Sequence, residues 1–188
     1  MIKIGITGSI ASGKTTASKI LSEKRGPLFS ADKVIARFYK KKDFRDLIFK
    51  KLKISKKKDL KRLLKEKILK NVKYLKKLEK IIHPLVRKEM RNFTILNKGK
   101  EKVFYEIPLL IENKLMKNFD LIFFIKAKKQ LRLKRFIKKG GEKKLFDLLN
   151  NKQIPDAKKI KFSDHVIVNE SNLNILKRNL STIMKTYV

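Results

Sequence analysis

Two textures alternate along the chain: short unbroken apolar runs, and longer stretches in which apolar residues recur every three or four positions among lysines. The unbroken runs are 3–8 (KIGITG), 28–32 (LFSAD), 103–108 (VFYEIP), 120–127 (DLIFFIKA) and 164–169 (DHVIVN). Apolar runs with no polar face suit strands covered on both sides, as in a parallel sheet. Residues 14–24 carry Ala17, Ile20 and Leu21 at helical spacing, and Gly26 with Pro27 ends that helix. The first two runs thus predict strand, loop, helix, strand, with the helix as the crossover that parallel pairing requires.

Residues 38–99 lack such runs. Leu60, Leu63, Leu64, Ile68, Val72, Leu75, Leu78 and Ile82 recur at helical spacing, which predicts an amphipathic helical insertion with a lysine-clad outer face. His83 precedes Pro84, and proline at a first helical position predicts that a helix restarts there. Residues 128–161 predict two basic helices around the flexible Gly140-Gly141 pair, a composition suited to a closing lid. Leu173, Leu176, Leu180 and Ile183 or Met184 predict a last helix. With 188 residues the chain can bury one core. The expectation is an α/β fold with a five-stranded parallel sheet in three layers. Its core would comprise residues 1–37, 100–127 and 162–188, with the insertion at 38–99 and the lid at 128–161.

Chemistry enters at the first strand's end. Gly8-Ser9-Ile10-Ala11-Ser12-Gly13-Lys14-Thr15 fits G-x-x-x-x-G-K-[ST], the phosphate-cradling P-loop, and it stands between a predicted strand and a predicted helix. Such a loop turns successive backbone N–H groups inward, and the helix N-terminus adds partial positive charge. Lys14 is placed to reach the β- and γ-phosphates, Thr15 to hold Mg²⁺ through its hydroxyl, and Thr16 continues the cradle. A glycine turn that merely caps a helix does not account for lysine and threonine together.

Other candidates carry two readings each. Asp32, at the end of the second predicted strand, would face the γ-phosphate as a general base, but aspartate is also a favoured N-cap for a helix starting at Lys33. His83 is a packed or capping histidine, or a ligand. Arg135 and Lys139 lie one helical turn apart, which suits a phosphate clamp and equally any basic face. Glu106 and Glu112 flank IPLLI, where an acid contacts Mg²⁺ or stays solvated.

Lysine and arginine number 51 against 17 acidic residues, a formal net charge of +34. Such a field attracts nucleic acid, anionic membranes and small polyanions alike. The lysines are spread along the whole length, no nucleic-acid recognition motif is visible, and Ile, Asn and Phe are abundant too, as AT-rich codons would favour. The charge therefore reads as a solvated lysine-rich surface, with no specific nucleic acid and no membrane as partner. Zero cysteines exclude disulfides, and two histidines alone make no zinc site. The start lacks the long apolar stretch of a signal peptide, and no run approaches the ~18 apolar residues of a membrane span. A soluble, cytoplasmic protein is expected, a monomer before an oligomer.

Taken in order, these pieces resemble the dephospho-CoA kinases, P-loop kinases related to the nucleoside monophosphate kinases. The likeness rests on IGITGSIASGKTTA at the start, SADKVIAR at 30–37, HPLVRKEM at 83–90, IPLLIEN at 107–113, and Gln153, Lys159 and SDHVIVN at 163–169. The resemblance implies transfer of the γ-phosphate of ATP, with Mg²⁺, to the ribose 3′-hydroxyl of dephospho-CoA. It implies Asp32 as the base, with Lys14 and Arg135 beside it in catalysis. It implies an acceptor side made of Thr7, Asp32, His83, Pro108, Leu109 and Leu110, and a nucleotide side including Lys139 and Asn169. Four positions depart from the family's pattern: Ser9 and Ala11 stand at loop positions usually glycine, Ser30 replaces an aspartate, and Lys139 replaces a second lid arginine. A stiffer loop is expected, and a lysine offers a point charge instead of a planar fork. Two rivals stay open at this stage: a kinase for another small acceptor such as a nucleoside monophosphate or shikimate, and a nucleic-acid-binding P-loop protein.

Overall fold

The computed structural model describes residues 1–55 and 59–187; residues 56–58 of the expected insertion and residue 188 of the last expected core segment lie outside the described residues. By its contacts the chain divides into one compact unit of residues 1–30 with 97–188 and another of residues 31–96.

The first unit is built on a parallel sheet of five strands among the described residues: β1 (Ile2–Thr7), β2 (Leu28–Ser30), β3 (Lys102–Glu106), β4 (Leu121–Lys126) and β5 (His165–Val168), in the order β2-β3-β1-β4-β5. All five apolar runs therefore form strands. Ile4 pairs in register with Phe104 on one side and Leu121 on the other, so β1 is central. On one face α1 (Lys14–Ser22) and α9 (Leu173–Met184) close a core of Ile4, Ile6, Ala17, Leu21, Phe104, Phe123, Ile125, Leu176, Leu180 and Met184. β5 lies at the sheet's edge, and only Ile167 of its four residues is buried. The chain leaves β1 toward β2 and leaves β4 toward β5, so connections diverge at the carboxyl ends of β1 and β4. In open parallel sheets that divergence makes the crevice where ligands bind, and the glycine loop lies there.

The expected pair of basic helices is α6 (Lys129–Lys138) and α7 (Lys143–Lys152), and Gly140 between them has φ 81°. A further short helix, α8 (Asp156–Ile160), follows. Its five residues are too few to show an apolar period.

The second unit contains α2 (Ala31–Lys40), α3 (Lys42–Leu52), α4 (Leu60–Lys70) and α5 (Lys73–Leu96). Leu60, Leu64, Ile68, Leu78 and Ile82 are buried as the spacing predicts, whereas Val72 is exposed. Its stripe is not continuous: α4 stops at Lys70, and Val72 sits in the turn where Asn71 accepts a hydrogen bond from the Lys73 N–H. The restart predicted at Pro84 is also corrected, since α5 runs through it. Proline cannot donate to the carbonyl four residues back, but the apolar face continues on both sides and tertiary packing outweighs one lost bond.

Candidate active site

The loop at residues 8–13 leaves β1 and delivers the chain into α1 at Lys14, so the first free N–H groups of that helix border the loop. Two glycines are required by geometry. Gly8 has φ 149°, and a β-carbon there would strike the Ile125 carbonyl of β4; Gly13 has φ 96°, and a β-carbon would occupy the place of the Asn169 amide. Ala11 adopts φ 58°, the left-handed region that a residue with a β-carbon enters only with strain. Lys14 is buried, and its Nζ donates to the Ser9 carbonyl at 3.0 Å, folding the side chain back over the loop. The buried Ser12 hydroxyl has no hydrogen-bond partner. An orphaned donor in this loop, beside the N-terminus of α1, fits a phosphate oxygen.

Of the two open acids, Glu106 stands at the centre. It ends β3 in register with Ile6 of β1, is 1 % exposed, and accepts from Thr15 Oγ1 at 2.5 Å and from Ser30 Oγ at 2.8 Å. Ser30 thus has a positive role: its neutral hydroxyl satisfies a buried carboxylate beside which an aspartate would place like charge. Glu112 follows β3 and forms an ion pair with Lys159 of α8 at 2.6 Å, the lysine being completely buried.

Helix α6 and the residue after β5 hold the loop from outside. Arg135 donates to the Ser12 carbonyl at 3.4 Å, and Asn169, just past β5, donates to the same carbonyl at 2.8 Å. Lys139 is exposed where α6 ends. Arg132, which the sequence reading passed over, is more deeply engaged. Its guanidinium donates to the Ala127 carbonyl at 3.1 Å, to Asn150 Oδ1 at 2.8 Å and to the Ile10 carbonyl at 3.3 Å. Burial pulls its pKa down, and nearby Asp156 opposes that shift. Gln153 accepts from the Ile10 N–H at 2.9 Å. A basic run such as 128–139 hides which cations turn inward, since helical spacing marks only apolar faces. Beside the loop lies a cavity of about 570 Å³ lined in part by Ser9, Arg132, Asn150, Gln153, Asp156 and Glu170.

On the sheet's upper rim the Thr7 hydroxyl donates to the Pro108 carbonyl at 3.2 Å; Pro108 and Leu109 are half-buried, and Leu110 is fully buried in the core. In the second unit, His83 is half-buried on α5. Its pKa lies below the ordinary histidine value, chiefly through burial; Glu79 opposes the shift, and Arg87 adds a smaller push downward. The structure corrects the local setting of Asp32: β2 ends at Ser30, and Asp32 is an exposed residue in the first turn of α2, neither a strand end nor an N-cap. A carboxylate there is favoured by the helix dipole, which explains why the helix begins two residues earlier than expected. Among the described residues no cluster of three or more His, Cys, Asp or Glu side chains is arranged to hold a metal ion, and no helix is long and apolar enough to cross a membrane.

Comparison with known proteins adds a family to this geometry. A profile described as "CoaE: Dephospho-CoA kinase" matches residues 2–174. A dephospho-CoA kinase of Bartonella quintana is 34% identical over 187 residues, covering 97% of this chain and 96% of the relative. The solved dephospho-CoA kinase from Campylobacter jejuni superposes with a TM-score of 0.66 at 25% identity, over 98% of this chain and 96% of that one. Shikimate kinase from Acinetobacter baumannii shares the fold at a TM-score of 0.55 and 17% identity, over 100% and 93% of the two chains.

Proposed function

The chain belongs to the dephospho-CoA kinase family, and we propose how its own residues carry out that family's reaction, in which ATP phosphorylates the ribose 3′-hydroxyl of dephospho-CoA in the last step of coenzyme A synthesis. The observation that carries the assignment of roles is the loop at residues 8–15, with Lys14 buried over it and the Thr15 hydroxyl held by a buried carboxylate.

Phosphoryl transfer needs positioning and neutralisation of charge more than covalent chemistry. The loop of Gly8, Ser9, Ile10, Ala11, Ser12 and Gly13, with the helix start at Lys14, Thr15 and Thr16, receives the β- and γ-phosphates through the N–H groups that the protein leaves open; those of Ile10, Ser12 and Thr16 are held by Gln153 and by the Ser9 and Gly13 carbonyls and shape the cradle. Lys14 exchanges its bond to the Ser9 carbonyl for the phosphate oxygens. The donors fit Mg²⁺, since the Thr15 hydroxyl and the Glu106 carboxylate are hard oxygen groups in contact; these two residues would hold the ion, which would supply neutralisation of phosphate charge. Arg135 and Lys139 add cationic charge from the lid, and Asn169 lies toward the base of ATP.

Asp32, two residues along the chain from Ser30, accepts or orients the proton of the acceptor hydroxyl. His83 and the rim at Thr7, Pro108, Leu109 and Leu110 form the acceptor side; Leu110, being buried, contributes through its backbone and by fixing the rim. The helical insertion at 38–99 takes the coenzyme A portion, and residues 128–161 act as the lid over the core segments 1–37, 100–127 and 162–188. The protein works as a cytoplasmic monomer without nucleic acid or membrane, its net charge of +34 drawing polyanionic substrates by long-range attraction.

ADP release measured with ATP and Mg²⁺ against a panel of acceptors tests the assignment. Dephospho-CoA is expected to exceed shikimate and nucleoside monophosphates in kcat/KM by about 10²-fold or more, the discrimination reached when a site must satisfy polar groups on its proper substrate. Equal turnover of shikimate or a monophosphate would overturn the acceptor assignment. ATP hydrolysis stimulated by DNA or RNA at physiological salt would favour the nucleic-acid reading.

A further inference from the structure

Four side chains outside the reaction just described run in one line to the loop. Glu112 pairs with Lys159, whose ammonium donates to Ser9 Oγ at 3.3 Å, and the Ser9 hydroxyl in turn donates to Asp156 Oδ1. Lys159 is 0 % exposed and Ser9 2 %. A fully buried ammonium is tolerated only where paired and hydrogen-bonded, so the position of Lys159 is tightly defined, and it defines that of Ser9. Ser9 accepts from one partner and donates to the other, which fixes its hydroxyl proton as well. Its backbone carbonyl, on the loop side, is the acceptor of Lys14 Nζ.

Two residues further on, Ala11 sits at φ 58°. For a residue with a β-carbon this conformation is disfavoured by roughly five- to thirtyfold in population, so the free loop tends to leave the shape that receives phosphate. Neighbouring bonds from Gln153 and Arg132 reach the Ile10 backbone, whereas Ser9 is held through its side chain.

We propose that Ser9, clamped by Asp156 and the buried Lys159–Glu112 pair, is a positioning residue that keeps the loop in its nucleotide-receiving shape against the strain at Ala11. The inference rests on the P-loop reading above. Its physical content is a population: apparent affinity falls by the fraction of molecules whose loop is competent. Ser9 and Ala11 then act as a compensating pair, one straining the loop and the other holding it.

Titration calorimetry with ATP, alongside thermal unfolding without nucleotide, tests this. The wild type is titrated first; absence of nucleotide binding there would overturn the P-loop reading and this inference together. Ser9→Ala, which leaves the Lys159–Glu112 pair in place, is expected to weaken ATP binding about five- to tenfold. Adding Ala11→Gly to Ser9→Ala is expected to restore affinity to within about twofold of the wild type, because glycine enters the left-handed region freely. Lys159→Met with Glu112→Gln removes both charges at once and so leaves no lone buried ion. That pair is expected to reproduce the loss of Ser9→Ala and to add nothing to it when combined. Unchanged ATP affinity in Ser9→Ala, a fall in unfolding temperature with affinity intact, or failure of Ala11→Gly to restore binding would each overturn the proposal while leaving the P-loop reading standing.

Discussion

Replacing Lys14 by alanine is expected to lower kcat by roughly 10²- to 10³-fold, the loss seen when one preorganised donor to developing negative charge is removed. Lys14 is buried over the loop with its ammonium 3.0 Å from the Ser9 carbonyl, so no other group fills its place without repacking. Two lesser causes can be separated by size. The substitution lowers a net charge of +34 by one, which barely alters the long-range attraction of ATP. It also deletes the charged hydrogen bond from the ammonium to the Ser9 carbonyl, worth about 1.5–3 kcal/mol of folding stability, which is read in the unfolding temperature. Neither reaches a hundredfold in turnover at saturating ATP. Steady-state kinetics of the purified variant measures the effect, and near-normal kcat would remove Lys14 from the transfer step.

Asp32→Asn is expected to lower kcat by about 10²- to 10⁴-fold while ATP still binds, the range for loss of a positioned general base. The competing account makes Asp32 only the acid in the first turn of α2, where its charge favours the helix dipole. That role is worth about 0.3–1 kcal/mol of stability. The catalytic loss corresponds to about 3–5 kcal/mol in the barrier, well beyond what the helix dipole supplies, and it is read in kcat at saturating substrates, which a small loss of stability does not move. A variant with unchanged kcat and slightly reduced stability would assign Asp32 to the helix alone.

How far the sequence was legible depended on whether a local rule existed for each feature. The five strands were visible because both faces of a parallel sheet are covered, so their sequences are unbroken apolar runs. The loop was visible because a tight phosphate turn demands glycine at Gly8 and Gly13 and a lysine next to it. Asp32 was misplaced by two residues in local structure because the run LFSAD has no residue that forces a strand to stop; the helix takes Ala31 as soon as the carboxylate can meet its dipole. Val72 and Pro84 misled for the opposite reason, since apolar period and proline are local signals that a turn and a long packed helix overrode. Glu106 could be seen as a strand-end acid, but its contact with Thr15 and Ser30 depends on register between β1, β2 and β3. Arg132, Asp156 and Lys159 lie in basic or polar stretches, and only the fold shows that they turn toward the loop.

The most direct test of the account is a crystal structure of the protein with Mg²⁺, a non-hydrolysable ATP analogue and dephospho-CoA. The account predicts the β- and γ-phosphates in the cradle of residues 8–15 with Lys14 and Thr15 on them, and the Asp32 carboxylate within hydrogen-bond distance, about 2.6–3.2 Å, of the ribose 3′-hydroxyl. A triphosphate bound elsewhere, or Asp32 turned away from that hydroxyl in the filled complex, would contradict it.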